Sequence, residues 1–180
     1  MKTIIYIMLA FTLFKGDVLL FDFDSKETSG EWFIVNDDVM GGISQSKFIV
    51  TNDGLANFSG ILSPDNNGGF ASVRAMIDIN SEERIKGIMI RVKGDGNKYN
   101  LRFRTDKNFD GYAYQAKFQT IEESWIEYKL PFSSFEPTFR GRTLSDKPKL
   151  EAQNIGQIGL LIADYQFGEF NLDIDWIKFY

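Results

Sequence analysis

The run Tyr99-Asn100-Leu101-Arg102-Phe103-Arg104 places an apolar side chain at every second position, with polar or charged side chains between them. Successive side chains of a β-strand point to opposite faces, so this pattern predicts a strand with one face in a hydrophobic core. The run 112–119 repeats the same alternation. Because no stretch of the sequence combines helical periodicity with capping residues, we predict an all-β protein.

Short apolar or alternating runs continue along the chain, about ten in all, and turn residues separate them. Asn52-Asp53-Gly54 and Gly94-Asp95-Gly96-Asn97 are tight-turn sequences of the kind that join antiparallel strands. The last run alternates from Phe170 to the apolar pair Trp176-Ile177, where we predict a β-bulge. The sequence thus predicts a single domain over residues 17–180, an antiparallel β-sandwich.

The composition limits what this domain can do. The chain has 180 residues, of which 43% are hydrophobic, and a formal net charge of -5. The negative charge gives no long-range attraction to nucleic acid. Cysteine and histidine are absent, which excludes zinc sites built on them and Ser-His-Asp or Cys-His catalysis. We expect no cofactor. Ca²⁺, which binds oxygen ligands, is the one metal left open, although no motif supports it.

The N-terminus has the pattern of an export signal. Met1-Lys2-Thr3 precedes an apolar stretch, 4–14. A positive charge followed by an apolar core of about eleven residues is typical of a signal peptide and too short to span a bilayer. We predict a signal peptide over residues 1–16, no transmembrane helix in the mature chain, and an exported protein, periplasmic or extracellular, in preference to a cytoplasmic one. Because an A-x-A-like cleavage site is missing, a buried first strand is the alternative.

The loop Asn36-Asp37-Asp38-Val39-Met40-Gly41-Gly42-Ile43-Ser44 separates two apolar segments. Asp37 and Asp38 can accept hydrogen bonds from backbone amides, and Gly41 and Gly42 allow a positive φ and a close backbone approach. The loop is therefore either a turn closed by its own aspartates or a binding loop with exposed oxygen atoms. We favour the turn, and we expect Asp38 and Gly41 to hold the loop rather than to touch a ligand.

A series of short motifs follows the segment 32–44 in order, over nearly the whole chain. These motifs occupy residues 58–60, 68–74, 92–99, 101–105, 114–118, 131–135, 139–142 and 158–161. Together with the loop, they resemble the NADH:ubiquinone oxidoreductase complex I intermediate-associated protein family. The resemblance implies a jelly roll of the galactose-binding-like type, related to carbohydrate-binding modules. It also implies a non-enzymatic role, since mitochondrial members of the family help to assemble respiratory complex I.

Three functions are open at this point. The first is a non-catalytic binding domain with an assembly-factor or chaperone role, whose partner is another protein. The second is a carbohydrate-binding module of an exported protein, with a glycan as partner and Trp32, Tyr112 and Tyr114 as aromatic contacts. The third is a carboxylate-dependent hydrolase that uses Asp38, for which the sequence identifies no second acid. The other two tryptophans are predicted to lie in the core: Trp125 and Trp176.

The loops of a jelly roll gather at the two ends of the sandwich, so segments far apart in sequence can meet. We predict a binding site formed by the loop 36–44, the loop 66–69 and the basic segment Arg140-Gly141-Arg142. Arginine suits such a site because its planar fork binds carboxylates or sugar hydroxyls. We expect Arg102, in contrast, to solvate the outer face of a sheet. The predicted binding residues are Asp37, Asp38, Gly41, Gly42, Arg74, Arg104, Tyr114, Gln115, Arg140 and Arg142.

Overall fold

The computed structural model describes residues 17–25, 29–79, 85–106 and 110–180. The predicted signal peptide, residues 1–16, lies outside the described residues. Within them the chain forms thirteen β-strands. They are β1 (Val18–Phe21), β2 (Trp32–Ile34), β3 (Gln45–Val50), β4 (Ala56–Leu62), β5 (Ala71–Met76), β6 (Gly87–Lys93), β7 (Lys98–Arg104), β8 (Ala113–Gln119), β9 (Trp125–Pro131), β10 (Glu136–Phe139), β11 (Arg142–Thr143), β12 (Gln157–Ile162) and β13 (Gly168–Phe179).

The strands build two sheets whose strand pairs are antiparallel. The first sheet has the order β3-β4-β13-β6-β9, and β1 pairs with β13 as its sixth strand. The second sheet has seven strands in the order β11-β10-β8-β7-β12-β5-β2. The fold is therefore the predicted antiparallel β-sandwich. The pairing of β13 with β6 shifts register between Ile174 and Trp176, next to the position where the sequence predicts a bulge.

The hydrophobic core lies between the sheets and takes alternate side chains from both of them. In β7, Tyr99, Leu101 and Phe103 are fully buried in this core. Arg102 and Arg104, the intervening residues, therefore face the outer side of the second sheet. The alternation of this strand in the sequence is confirmed, and it fixes which side chains are available for a site on the outer face.

The predicted core positions of two tryptophans are wrong. Trp125 is 36% exposed, and the guanidinium carbon of Arg91 lies 4.8 Å from its ring centroid. Trp176 is half-buried, with Lys178 Nζ 4.4 Å from its ring centroid. Alternation with period two defines two faces but does not say which is inner. In β9 the inner face belongs to Ile126 and the residues in phase with it, so Trp125 lies outside.

The sequence predicts an irregular excursion over residues 132–154 with a short helical turn near its start. The structure contains a 3₁₀ turn at Phe132–Ser134, followed by the hairpin of β10 and β11. Arg140 and Gly141 form the connecting turn, with φ values of 48° and 77°. Two positive φ values are the requirement of a tight type I′ hairpin turn. The first half of this segment is therefore more regular than predicted.

Candidate functional site

The carboxylate of Asp37 ties together the loops at one end of the sandwich. Its Oδ1 accepts a 2.9 Å hydrogen bond from the amide of Ser44, and Oδ2 accepts a 2.5 Å bond from the Ser44 hydroxyl. Oδ2 also accepts bonds from the amides of Gly69, at 2.6 Å, and Phe70, at 3.3 Å. Asp37 is 1% exposed. This buried side chain therefore joins the loop before β3 to the loop before β5.

The charge of Asp37 is stabilised by dipoles rather than by a cation. Burial raises the pKa of a carboxyl group, because it disfavours the charged form. The hydrogen bonds from Ser44, Gly69 and Phe70 outweigh this effect and hold the pKa of Asp37 below its usual value. Asp37 is thus an ionised group with both oxygens engaged inside the fold, which makes it a structural residue of the loop.

Glycines around Asp37 are required for two different reasons. Gly41 ends the 3₁₀ turn Asp37–Met40 with a φ of 89°, the left-handed conformation expected from the sequence. Gly42 has no such φ, but a Cβ there would lie 2.8 Å from Asp37 Cβ and closer still to its carboxyl carbon. A Cβ at Gly68 would lie 2.5 Å from Asp37 Oδ2. Gly42 and Gly68 therefore give the carboxylate the space in which it is buried.

The expectation that Asp38 holds the loop is wrong, because Asp37 does so. Asp38 is exposed, and its side chain makes no hydrogen bond within the described part of the chain. Its backbone carbonyl accepts a 3.0 Å bond from the amide of Gly41. Successive side chains of a 3₁₀ turn point about 120° apart, so only one of two adjacent aspartates can face inward.

Large apolar side chains are exposed at the same end of the sandwich. Val39 and Met40 are 55% and 60% exposed. In the loop before β13, Tyr165 and Phe167 are 88% and 43% exposed, with ring centroids 6.0 Å apart. Phe167 adjoins the Asp37 cluster, since a Cβ at Gly69 would lie 3.0 Å from its ring. We call Val39, Met40, Tyr165 and Phe167 the loop-end patch. Large exposed apolar groups at one end of a domain are typical of contact surfaces.

A second cluster lies on the outer face of the seven-stranded sheet. Arg74 of β5 and Arg102 of β7 both pair with Gly159 of β12, which runs between those strands. The two arginine backbones are therefore separated by two strand spacings, roughly 10 Å. Arg104 follows two residues after Arg102 on the same face. All four residues line one small depression in the sheet. We call Arg74, Arg102 and Arg104 the arginine face.

The guanidinium groups of the arginine face act on one another. Burial, followed by repulsion from Arg104 and Arg74, lowers the pKa of Arg102 to about 10. Burial and the charge of Arg104 likewise lower the pKa of Arg74 to about 10, and Asp110 opposes this shift. Each group remains cationic at neutral pH. The face therefore concentrates positive charge on a protein whose net charge is negative.

Arg104 also has a structural role. Its Nη1 donates a 2.7 Å hydrogen bond to the backbone carbonyl of Gly111. Burial lowers its pKa, and the carboxylates of Asp106 and Asp110 oppose that shift. Arg104 is 7% exposed, so it stabilises the segment between β7 and β8. Its charge still adds to that of Arg102.

The single site predicted from three segments does not form. The loops 36–44 and 66–69 do meet, through Asp37. The Arg140-Gly141-Arg142 turn lies at the opposite end of the sandwich, because β10 pairs with the first residues of β8. Arg142 is exposed there, and Arg140 Nη2 lies 3.5 Å from Asp110 Oδ2. Arg140 is thus a neighbour of the arginine face rather than of the Asp37 loops.

The placement of Tyr114 on the floor of a site is corrected by its burial. Tyr114 is 1% exposed, and its hydroxyl donates a 2.7 Å bond to the carbonyl of Pro148. Gln115, its neighbour, pairs with Arg102 and so lies on the outer face. Tyr114 alternates in step with the buried Ala116 and Phe118 of β8, so Tyr114 points inward and Gln115 outward. Arg102, which the sequence predicts to solvate the outer face, lines the depression instead.

The aromatic contacts predicted for a carbohydrate-binding module are not free platforms. Trp32 is half-buried, stacks on Phe48 at a centroid distance of 4.7 Å, and donates a 2.8 Å bond to the carbonyl of Ser29. Tyr112 is half-buried under Lys147, whose Nζ lies 5.2 Å from the ring centroid. Platforms for sugars need an exposed ring face, which these residues and the buried Tyr114 do not offer.

The described residues lack two features that would indicate a membrane span or a metal site. In residues 17–25, 29–79, 85–106 and 110–180, no helix has the length and apolar content needed to cross a membrane. The same ranges contain no group of three or more acidic side chains that could hold a metal ion.

The two sheets and their end loops define a β-sandwich of the class that includes carbohydrate-binding modules. The structure resembles the family 11 carbohydrate-binding module from Clostridium thermocellum in complex with a beta-1,3-1,4-mixed-linked tetrasaccharide, with a TM-score of 0.66 and 19% identity. The match covers 91% of this chain and 95% of the module. An agarase gives a TM-score of 0.59 at 12% identity, over 91% of this chain and 24% of the enzyme. These likenesses concern the fold alone.

The chain belongs to the complex I intermediate-associated protein 30 family, whose sequence model matches residues 21–174. The mitochondrial complex I intermediate-associated protein 30 of Mus musculus is 28% identical over an alignment 180 residues long. The alignment covers 88% of this chain and 55% of the mouse protein. The probable Caenorhabditis elegans counterpart is 27% identical over 179 residues, 88% of this chain and 52% of that protein. The chain spans about half the length of these curated relatives.

The predicted export is contradicted by these relatives. Both carry names of mitochondrial proteins, not of exported ones. The prediction of a periplasmic or extracellular protein is therefore wrong. It rested on one lysine followed by an apolar stretch, a weak pattern that a buried strand also produces.

Proposed function

We propose that this chain is a non-catalytic binding domain that contacts another protein and serves in the assembly of respiratory complex I. The observation that carries the proposal is membership of the complex I intermediate-associated protein 30 family over residues 21–174. The names of the mouse and nematode relatives point to the same process. The partner is a subunit, or an assembly intermediate, of that complex.

The chemistry of the carboxylates supports a non-catalytic role. Asp37 engages both oxygens in hydrogen bonds within the fold, so it is not available as a nucleophile or general base. Histidine and cysteine are absent from the sequence. Binding, rather than bond cleavage, is the activity that this set of residues favours.

We assign the protein contact to the loop-end patch. Val39 and Met40 follow Asp37 directly in a 3₁₀ turn, so the hydrogen bonds of Asp37 fix the base from which they project. Covering exposed apolar surface contributes roughly 25 cal/mol per Å². A surface that is already ordered also avoids part of the entropic cost of binding.

The test is purification of the tagged chain from its source organism under native conditions, with identification of the complex I subunits bound to it. A Val39→Glu, Met40→Glu double variant should lower the recovery of these subunits about tenfold or more, the equivalent of about 1.4 kcal/mol. Leu19→Glu is the matched control, because Leu19 is 52% exposed but lies on β1. The control should bind as the unmodified chain does.

Recovery of no complex I subunit with the unmodified chain would contradict the proposed function. Equal recovery with the double variant and the control would keep the function but move the contact away from the loop-end patch. Thermal melts of all three proteins show whether each variant is folded.

A further inference from the structure

The outer face of β7 contains polar atoms that the fold leaves unsatisfied. Arg102 Nε is buried and has no hydrogen-bond partner among the described residues. Asn100 Oδ1 likewise has no hydrogen-bond partner within the described ranges, and Asn100 is 2% exposed. Asn100 and Arg102 lie two residues apart on one face of β7, roughly 7 Å along the strand. Buried polar atoms are normally paired, so an unpaired donor and an unpaired acceptor on the same strand face point to an external partner.

The charges around Arg102 show which partner is missing. Within the described part of the chain, the charges that act on Arg102 are those of Arg74 and Arg104. The carboxylates of Asp106 and Asp110 act on Arg104. Asp110 also acts on Arg74 and forms an ion pair with Arg140. Partly buried like charges are costly unless an opposite charge compensates them. An anion above Arg102 would supply that compensation.

The strand between the two arginines has no side chain at the position that faces them. Gly159 stands between Arg74 and Arg102 in the strand order and contributes no side chain. A Cβ at this position would lie 2.8 Å from the carbonyl oxygen of Val73 and 3.3 Å from Arg74 Cγ. Glycine is therefore required at this position, and the stem of Arg74 packs against it. The planar fork of each arginine can bind two oxygens of one anionic group.

We propose that the arginine face is a binding site for a small hydroxylated anion, a sugar acid or a sugar phosphate. Arg74 and Arg102 bind its carboxylate or phosphate group, and Asn100 Oδ1 accepts a hydrogen bond from one of its hydroxyls. The site lies on the face of the second sheet and not on the loop-end patch. It goes beyond the proposed assembly role, and either can fail without the other.

The test is calorimetric titration of the purified full chain in low-salt chloride buffer with four probes: glucose 6-phosphate, glucuronate, inorganic phosphate and neutral glucose. We expect one of the two hydroxylated anions to bind with a dissociation constant of about 1 mM or tighter. Neutral glucose should bind at least about tenfold more weakly, since it lacks the charge. Preference for glucuronate identifies a carboxylate ligand, and preference for glucose 6-phosphate identifies a phosphate ligand.

Variants separate this site from general charge attraction. Arg102→Gln should weaken anion binding about tenfold or more, and its melting temperature without anion should equal or exceed that of the unmodified chain because repulsion is removed. Arg102→Lys keeps the charge without the fork and should bind with intermediate affinity. Arg91→Gln is the control, since Arg91 lies on the first sheet and pairs with Asp175.

Two results would overturn the proposal. One is the absence of binding by all three anions at about 10 mM, a concentration at which a 1 mM site would be mostly filled. The other is equal loss of binding in Arg102→Gln and Arg91→Gln. Inorganic phosphate that binds as tightly as glucose 6-phosphate would overturn the role of Asn100.

Discussion

Asp37 Oδ2 accepts a 2.6 Å hydrogen bond from the backbone amide of Gly69, a residue 32 positions further along the chain. This bond crosses from the loop before β3 to the loop before β5. A charged acceptor with several backbone donors makes stronger hydrogen bonds than a neutral one. The conformation of Val39 and Met40, which follow Asp37 in its 3₁₀ turn, therefore depends on one buried carboxylate.

Replacement of Asp37 by Asn should destabilise the fold by about 2–3 kcal/mol. The side-chain NH₂ group would take the place of one carboxylate oxygen and face backbone N–H and hydroxyl donors from which it cannot accept a hydrogen bond. In a chain of this size the melting temperature should fall by roughly 5–10 °C. Asp38→Asn is the matched control, and we expect a change within about 0.5 kcal/mol, as for most exposed residues. Thermal melts of the two variants at pH 7 make the comparison. A larger loss for Asp38→Asn than for Asp37→Asn would contradict the assignment.

The contribution of Asp37 should depend on pH in one direction. Its pKa is lower in the folded chain than its usual value, so the folded state favours the ionised form. The stability that this group contributes is therefore present above the unfolded pKa, about 3.9, and is lost as the pH falls through the folded pKa. Urea unfolding of the parent chain and Asp37→Asn should show a large difference at pH 7 that shrinks below about pH 4. A difference that grows in acid would have the opposite sign to this prediction.

The adjacent glycines of the loop should respond differently to the same substitution. Gly41→Ala adds a methyl group with nothing within 4 Å of it, so its cost is the positive φ alone, about 1 kcal/mol. Gly42→Ala places the methyl group against the Asp37 carboxyl group, and we expect a loss of about 2 kcal/mol or more. Chemical denaturation of both variants measures the two costs. Equal losses would indicate that backbone conformation, and not space for Asp37, sets the requirement at Gly42.

Much of the fold follows from the sequence because side-chain alternation is a local property of a strand. The inward positions Tyr99, Leu101 and Phe103 could be identified without a structure. The same alternation over 112–119 also places Tyr114 in the core and Gln115 on the outer face. Local patterns therefore show which side of a strand a candidate site residue occupies.

Side-chain alternation could not predict which residues come together in the Asp37 cluster and in the arginine face. The sequence does not distinguish Asp37 from Asp38, because the inward member depends on the orientation of a 3₁₀ turn. The arginine face depends on the pairing of Gly159 with both Arg74 and Arg102. Strand order across a sheet is set by contacts between distant segments, and no local pattern contains it.

The most direct test of the assembly role is native gel electrophoresis of respiratory complexes from the source organism after deletion of the gene. The account predicts that mature complex I falls severalfold, that a smaller assembly intermediate accumulates, and that the unmodified chain restores the complex while the Val39→Glu, Met40→Glu variant does not. A normal amount of mature complex I in the deletion strain, without an accumulated intermediate, would contradict it.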